Sequence, residues 1–404
     1  MELIYLCVVF LVIIVVIWLK KPLYMALGGG ILTTVLIYRV SLKEALEVFA
    51  VQSIASDTIS VLLSFYCVTF LQKMLEQRNR LKEAQHSFDM LLRNRRVNAA
   101  LSSAILGLLP SAAVMTICAD MVDKTCGTYL DRKQKTFVSS YYRHIPEMFL
   151  PTYSSILLAL ALTKCSAGLF VVSMLPMVAV ACLLGYLFYL RKMPSSMDPV
   201  ETGEFRTGEV LKLAKNLWSL ISVVLIIVIF NIPVHFAAII VIAINFFLDH
   251  FQPGEIPHLL KVSAEPGLLC NMYLIMLFKG IISHVGVIDL LPDFFGQFPI
   301  PLTLVFSLII FFGTIISGSQ AMIALCLPMA FAAIPDGGLG LLVMLMCITW
   351  ASMQISPTHV CSFVAAEFYH TTLGDLVVRA IPIVLLFCVI AYGYGTLLTV
   401  FRIV

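Results

Sequence analysis

Long apolar runs recur along the whole chain, at about 3–19, 22–38, 57–75, 168–190, 216–230, 233–249, 264–282 and 373–399. A straight helix needs roughly 20 apolar residues to cross a bilayer, and inside it every backbone polar group must be paired. That leaves helices or a closed barrel. Barrel strands alternate in segments of about ten, and these runs do not. The chain is therefore expected to be an all-α polytopic membrane protein. Only 12% of its 404 residues are charged, 60% are hydrophobic and the mean hydropathy is +1.00; soluble domains carry about 25% charged residues. The basic clusters are short and flank the apolar runs, which excludes a nucleic-acid footprint. The eleven cysteines are scattered without a C-x-x-C, so neither a redox pair nor a metal site is indicated. The first run lacks a basic front end and a small-residue cleavage site, and reads as a retained helix.

Two stretches break this pattern in similar words. "FLPTYSSIL" covers 149–157 and "ISPTHVCSF" covers 355–363, each inside an apolar run of 29 residues, 136–164 and 338–366. Proline removes a backbone donor and clashes with the preceding turn. Breaks at Pro151 and Pro357 resolve the excess length. Two further runs, 99–122 and 301–332, are interrupted by Pro110-Ser111 and by small residues, and read as re-entrant hairpins.

A shift of 206 positions places Lys73 on Lys279, Gly107 on Gly313, Ser111 on Ser317, Pro151-Thr152 on Pro357-Thr358, Gly168 on Gly374 and Pro176 on Pro382. Charge sets the relative orientation. Residues 73–96 hold seven Lys or Arg and 123–143 hold five, whereas 283–300 and 329–349 hold none. Basic loops stay cytoplasmic, so the same element lies inside in one half and outside in the other. This predicts an inverted repeat: 1–190 with five spans and the hairpin 99–122, a charged cytoplasmic linker at 191–215, and 216–404 with five spans and the hairpin 301–332. Both termini are then outside the cell membrane.

Half-helix ends inside a membrane present free N–H groups and partial positive charge, suited to a carboxylate or phosphate, while free carbonyls suit Na⁺. Ser111, Thr314, Ser317, Ser319 and Gln320 are expected to contribute hydroxyl and amide groups from the hairpins. Thr152, Ser154, Ser155, Ser356, Thr358 and His359 complete the cavity from the broken helices, and a Na⁺ would sit near Ser317 and Thr358. Asp120, Glu147 and Glu367 are candidate coupling acids, because intramembrane carboxylates are costly to keep. Lys73 and Lys279 read as snorkelling residues at span ends.

At these residues a resemblance enters. "GTIISGSQAM" and "SPTHVCSFVAAEFYHTTLGDLVVRAIP" (356–382) resemble a family of bacterial and archaeal membrane proteins labelled as of unknown function, the DUF401-like proteins. That family is grouped with the ion transporter superfamily, which includes gluconate, citrate and dicarboxylate permeases. The resemblance implies an inner-membrane homodimer in which a transport unit moves, elevator-like, against a dimerising scaffold. It also implies that Ser317, Gly318, Ser319 and Gln320 form the second hairpin tip, and Ser356, Pro357 and Thr358 the second break. The first half departs from it, with "LPSAAV" where relatives carry a more polar tip.

The expected function is secondary transport of a small organic anion, a carboxylate, coupled to H⁺ or Na⁺, with no covalent chemistry and no cofactor beyond that ion. No phosphate-binding loop appears. The rivals are a non-transporting sensor or assembly protein, a channel with repeated polar rings, and an intramembrane enzyme pairing Glu147 with His144 and His359 with Glu367.

Overall fold

The computed structural model describes residues 2–80, 83–84, 86–87, 94–108, 113–195, 207–291, 297 and 299–401. The described part of the first half holds α1 (Glu2–Trp18), α2 (Leu23–Ile37), α3 (Leu42–Ile54), α4 (Ser56–Gln77), α5 (Arg95–Leu106), α6 (Ala113–Cys126), α7 (Arg132–Arg143), α8 (Ser154–Thr163) and α9 (Ala167–Phe188). The second half holds α10 (Thr207–Phe230), α11 (Val234–Leu248), α12 (Ile256–Ser263), α13 (Pro266–His284), α14 (Leu302–Ser317), α15 (Ser319–Ala333), α16 (Gly338–Met353), α17 (Val360–Phe368) and α18 (Leu373–Val400). Helix starts recur 206 residues apart, at 113 and 319, 132 and 338, 154 and 360, and 167 and 373.

Six helical segments among the described residues are long and apolar enough to cross a membrane: Ser56–Gln77, Ala167–Phe188, Gly208–Phe230, Pro266–His284, Pro335–Met353 and Leu373–Val400. Others, such as Leu23–Ile37 and Ser319–Ala333, are apolar but of 10–17 residues. An ideal helix of 15 residues is only about 22 Å long, short of a hydrocarbon core of about 30 Å. The fold is all-α and polytopic.

Both 29-residue runs are broken. The first becomes α7, a 3₁₀ turn at Pro146–Met148 and α8, with Pro151 buried between them. The second becomes α16 and α17, separated by residues 354–359 with Pro357 exposed. Proline alone does not open the chain, since Pro176, Pro328 and Pro382 all lie inside continuous helices. The linker is shorter than the sequence suggests. Helix α10 begins at Thr207, and its charged first turns are held by Glu209, which accepts from Lys212 at 2.7 Å and from Ser87 at 2.9 Å.

The helices sort into two groups. In one, α1 packs on α2, α13 on α2 and α3, α4 on α11 and α12, and α10 on α11. In the other, α5 packs on α6 and α7, α14 on α15 and α16, and α16 on α18. Within this second group the halves interlock: α15 packs on α8, and α6 on α17. The groups meet where α1 touches α14, α4 touches α8 and α9 touches α10.

Candidate functional site

Helix α14 ends and α15 begins at one residue, Gly318, with φ +83° and ψ 161°. L-residues avoid that region and glycine does not. No side chain caps α15, so the first-turn N–H groups of Ser319, Gln320 and Ala321 face the space the turn opens. Opposite them, the α16 break folds on itself. Ser356 donates to the carbonyl of Ile315 at 2.9 Å, shares a hydrogen bond with Thr358 at 2.8 Å and accepts from the Thr358 N–H at 3.3 Å. The break is thereby tied to the end of α14.

Between them lies a cavity of about 330 Å³ lined by Ser317, Gly318, Ser319, Gln320, Ser356, Thr358 and His359, with Ala321 and Met353 beside them. Its remaining wall is the turn between α1 and α2: Ile17, Lys21 and Leu23. The cavity thus spans both helix groups. Volumes of this order hold small-molecule ligands.

Thr152, Ser154 and Ser155 of the first break, expected in the cavity, do not line it; the break reaches the site only through Gln320. Gln320 Nε2 donates to Ser154 Oγ at 2.6 Å, linking the second hairpin to α8. Ser155 and Thr152 are buried, and the Thr152 carbonyl accepts from Gln72 at 3.5 Å. Thr314 is fully buried, one turn below Gly318. Pro110 and Ser111, the expected tip of the first hairpin, lie outside the described residues.

The two breaks meet at a histidine pair. His144 Nδ1 lies 2.5 Å from the Ser140 carbonyl, which can only accept, so this nitrogen carries the proton. His144 Nε2 is then the acceptor in the neutral pair, and His359 Nε2 donates to it at 2.8 Å. Trp350 Nε1 holds the His144 carbonyl at 2.7 Å. His144, His359 and Cys361 bring possible ligand atoms within 4.8 Å of one another. However, the Arg143 guanidinium lies 3.3 Å from His144 Nε2 and 3.5 Å from Cys361 Sγ. A fixed positive charge at that point suits a hydrogen-bonded cluster and repels a metal cation.

The coupling acids are not brought to the cavity. Asp120 pairs with Lys124 at 2.6 Å on an exposed face of α6. Glu367 is exposed on α17, and Glu147 sits half-buried in the 3₁₀ turn of the first break. Among the described residues no hydrogen bond joins Glu147 to His144 or His359 to Glu367, and His144 meets His359. Lys73 bonds Glu76 at 2.9 Å on its own helix. Lys21 is hidden in the sequence, since a lysine closing an apolar run reads as an end signal. Gln72 left a usable trace: an amide inside an apolar run needs a partner.

Broken helices and a hydroxyl-lined cavity lie within an all-α polytopic membrane fold. The structure is similar to that of the YdaH transporter of Alcanivorax borkumensis, whose crystal structure is described as having an unusual topology. The TM-score is 0.58 at 11% identity, over 90% of this chain and 89% of that one, which is a likeness of fold. A family model described as a protein of unknown function, DUF401, matches residues 3–397, and the chain belongs to that family. No curated protein matches it.

Proposed function

We propose that the protein is a secondary transporter of a small organic anion, a carboxylate, coupled to H⁺ or Na⁺. The observation that carries this reading is the cavity at Ser317–Gln320 and Ser356–His359. Free N–H groups of α15 and several hydroxyls converge there, an arrangement that binds carboxylate oxygens. A Na⁺ would be held near Ser317 and Thr358, at the C-terminal end of α14. The substrate is carried across unchanged.

The 206-residue spacing of helix starts and the reciprocal packing of α15 on α8 and α6 on α17 support two structurally related halves. The charge asymmetry of their loops supports opposite orientations, with α5–α6 and α14–α15 as re-entrant hairpins, ten crossings in all and both termini outside the inner membrane. The division into two helix groups supports an elevator cycle. Helices α5–α9 and α14–α18 would slide as one body against α1–α4 and α10–α13, which would also form the homodimer contact. Uptake into proteoliposomes of a radiolabelled carboxylate panel, with and without Na⁺ and a pH gradient, tests the reading. Saturable, gradient-driven flux of at least one carboxylate is expected; a flat response to every anion under every gradient would refute it.

A further inference from the structure

The cavity wall is neutral except at one place. Among its described lining residues, Ser317, Ser319, Gln320, Ser356 and Thr358 offer uncharged polar groups, and only Lys21 carries a fixed charge. Lys21 is exposed, and no carboxylate of the described residues pairs with it. Several other lysines do have such partners: Lys133 with Asp375, Lys135 with Asp123 and Lys164 with Asp57. Its position follows from the local chain. Lys20 takes φ +58°, which turns the backbone sharply between α1 and α2, and Pro22 starts the next helix. The turn is thus fixed with Lys21 facing the hairpin tip and Lys20 outside the cavity.

We infer that Lys21 is the charge-selecting residue of this site, and that the cavity takes a small monoanion: one carboxylate set against the ammonium, the remainder uncharged and hydrogen-bonding. A second carboxylate on the same ligand would face the α15 N-terminus, hydroxyls and an amide, which carry no second full counter-charge to offset its desolvation. The inference rests on the transport reading above and deepens it. Lys21 belongs to the α1–α4 group, whereas every other polar lining residue belongs to the second group. Sliding of one group against the other would remove the ammonium from the site, so Lys21 acts on binding from the one membrane face to which this cavity opens.

The test is flux and competition in proteoliposomes with mono-, di- and tricarboxylates, comparing wild type with Lys21→Gln, Lys21→Arg, Lys21→Glu and the neighbouring control Lys20→Asn. Wild type should prefer monocarboxylates. K21Q should raise KM for them by roughly tenfold or more, as expected for loss of one partner of a charge pair. K21R should stay within about threefold because the charge is kept, K21E should abolish anion uptake, and K20N should match wild type. The split between K21R and K21Q separates a charge role from misfolding. Saturable anion flux indifferent to K21Q and K21E, or a preference for dicarboxylates, would overturn the inference while leaving the transport reading standing. No anion flux in wild type would remove both.

Discussion

Gly318 concentrates the second hairpin's geometry in one residue. A Cβ there would meet only Thr358 Oγ1 at 3.8 Å, an ordinary contact, so the obstacle to substitution is torsional. Gly318→Ala should destabilise by about 1–3 kcal/mol and reduce anion affinity. Gly28→Ala, on an open face of α2 where an added Cβ meets nothing within 4 Å, should instead stabilise slightly. Thermal unfolding of the two purified variants makes the comparison. At Gln320 and Ser154 a double-mutant cycle to alanine should return a coupling of about 1 kcal/mol, read from the same melts; additive losses would mean that the 2.6 Å contact carries no energy. The cavity residues 317–320, 356, 358 and 359 were legible in the sequence because small polar side chains interrupt apolar runs there. Lys21 and the His144–His359 contact were not, since both depend on elements far apart in sequence. Asp120 misled in the other direction. Inside an apolar run it resembled an intramembrane acid, although Lys124, one turn on, marks an ordinary surface pair.

At the scale of elements, close approach and end chemistry set how the helices join. Helices α16 and α18 touch through their backbones: a Cβ on Gly395 would lie 3.0 Å from the Gly340 carbonyl and 2.5 Å from Met344 Cβ. Small residues permit such contacts in membranes. Gly395→Leu should therefore overpack the pair, cost about 1–3 kcal/mol and lower the midpoint of thermal unfolding. At the end of α4, Arg78 donates to both Glu255 oxygens at 3.0 Å, and Glu255 also accepts from Gln77 at 2.6 Å and from the Gln252 N–H at 2.7 Å. The Arg78 bonds chiefly, and the Gln252 N–H next, hold the Glu255 carboxyl below its ordinary range. A depressed carboxyl contributes stability above its unfolded value, about 4.3, and loses it as pH falls through the folded value. In melts across pH, Glu255→Gln should trail wild type at neutral pH, with the gap closing in acid. A gap independent of pH would show that the carboxylate's charge is not responsible. The helix starts 206 apart were readable because glycine and proline matches hold register where leucine matches carry no information. The early start of α10 was hidden, since charge at a helix end looks like loop until its partners, here Lys212 and Ser87, are placed.

For the molecule as a whole, the consequential surface is the seam between the two helix groups. It carries the Asp57–Lys164 pair at 3.1 Å, from α4 to the end of α8, and the Ser166 hydroxyl on the Asn231 side-chain oxygen at 2.5 Å. These polar links border a second cavity of about 470 Å³, lined also by Ser60 and Ser64. A seam with polar links beside a cavity resists sliding less than a close-packed apolar one, because exposed ion pairs contribute little, about 0–1 kcal/mol. If transport requires the groups to move past each other, a covalent tie across the seam must stop it. Cysteines at Asp57 and Lys164, joined by a short reducible cross-linker, should abolish flux, and reduction should restore it. Each single cysteine variant should keep flux under the same treatment, which controls for Cys7, Cys182 and Cys270, the native cysteines left exposed. A complete cross-link with undiminished flux would mean that the two groups move as one body, and that access to the cavity alternates by local movements of the hairpin tips and helix breaks.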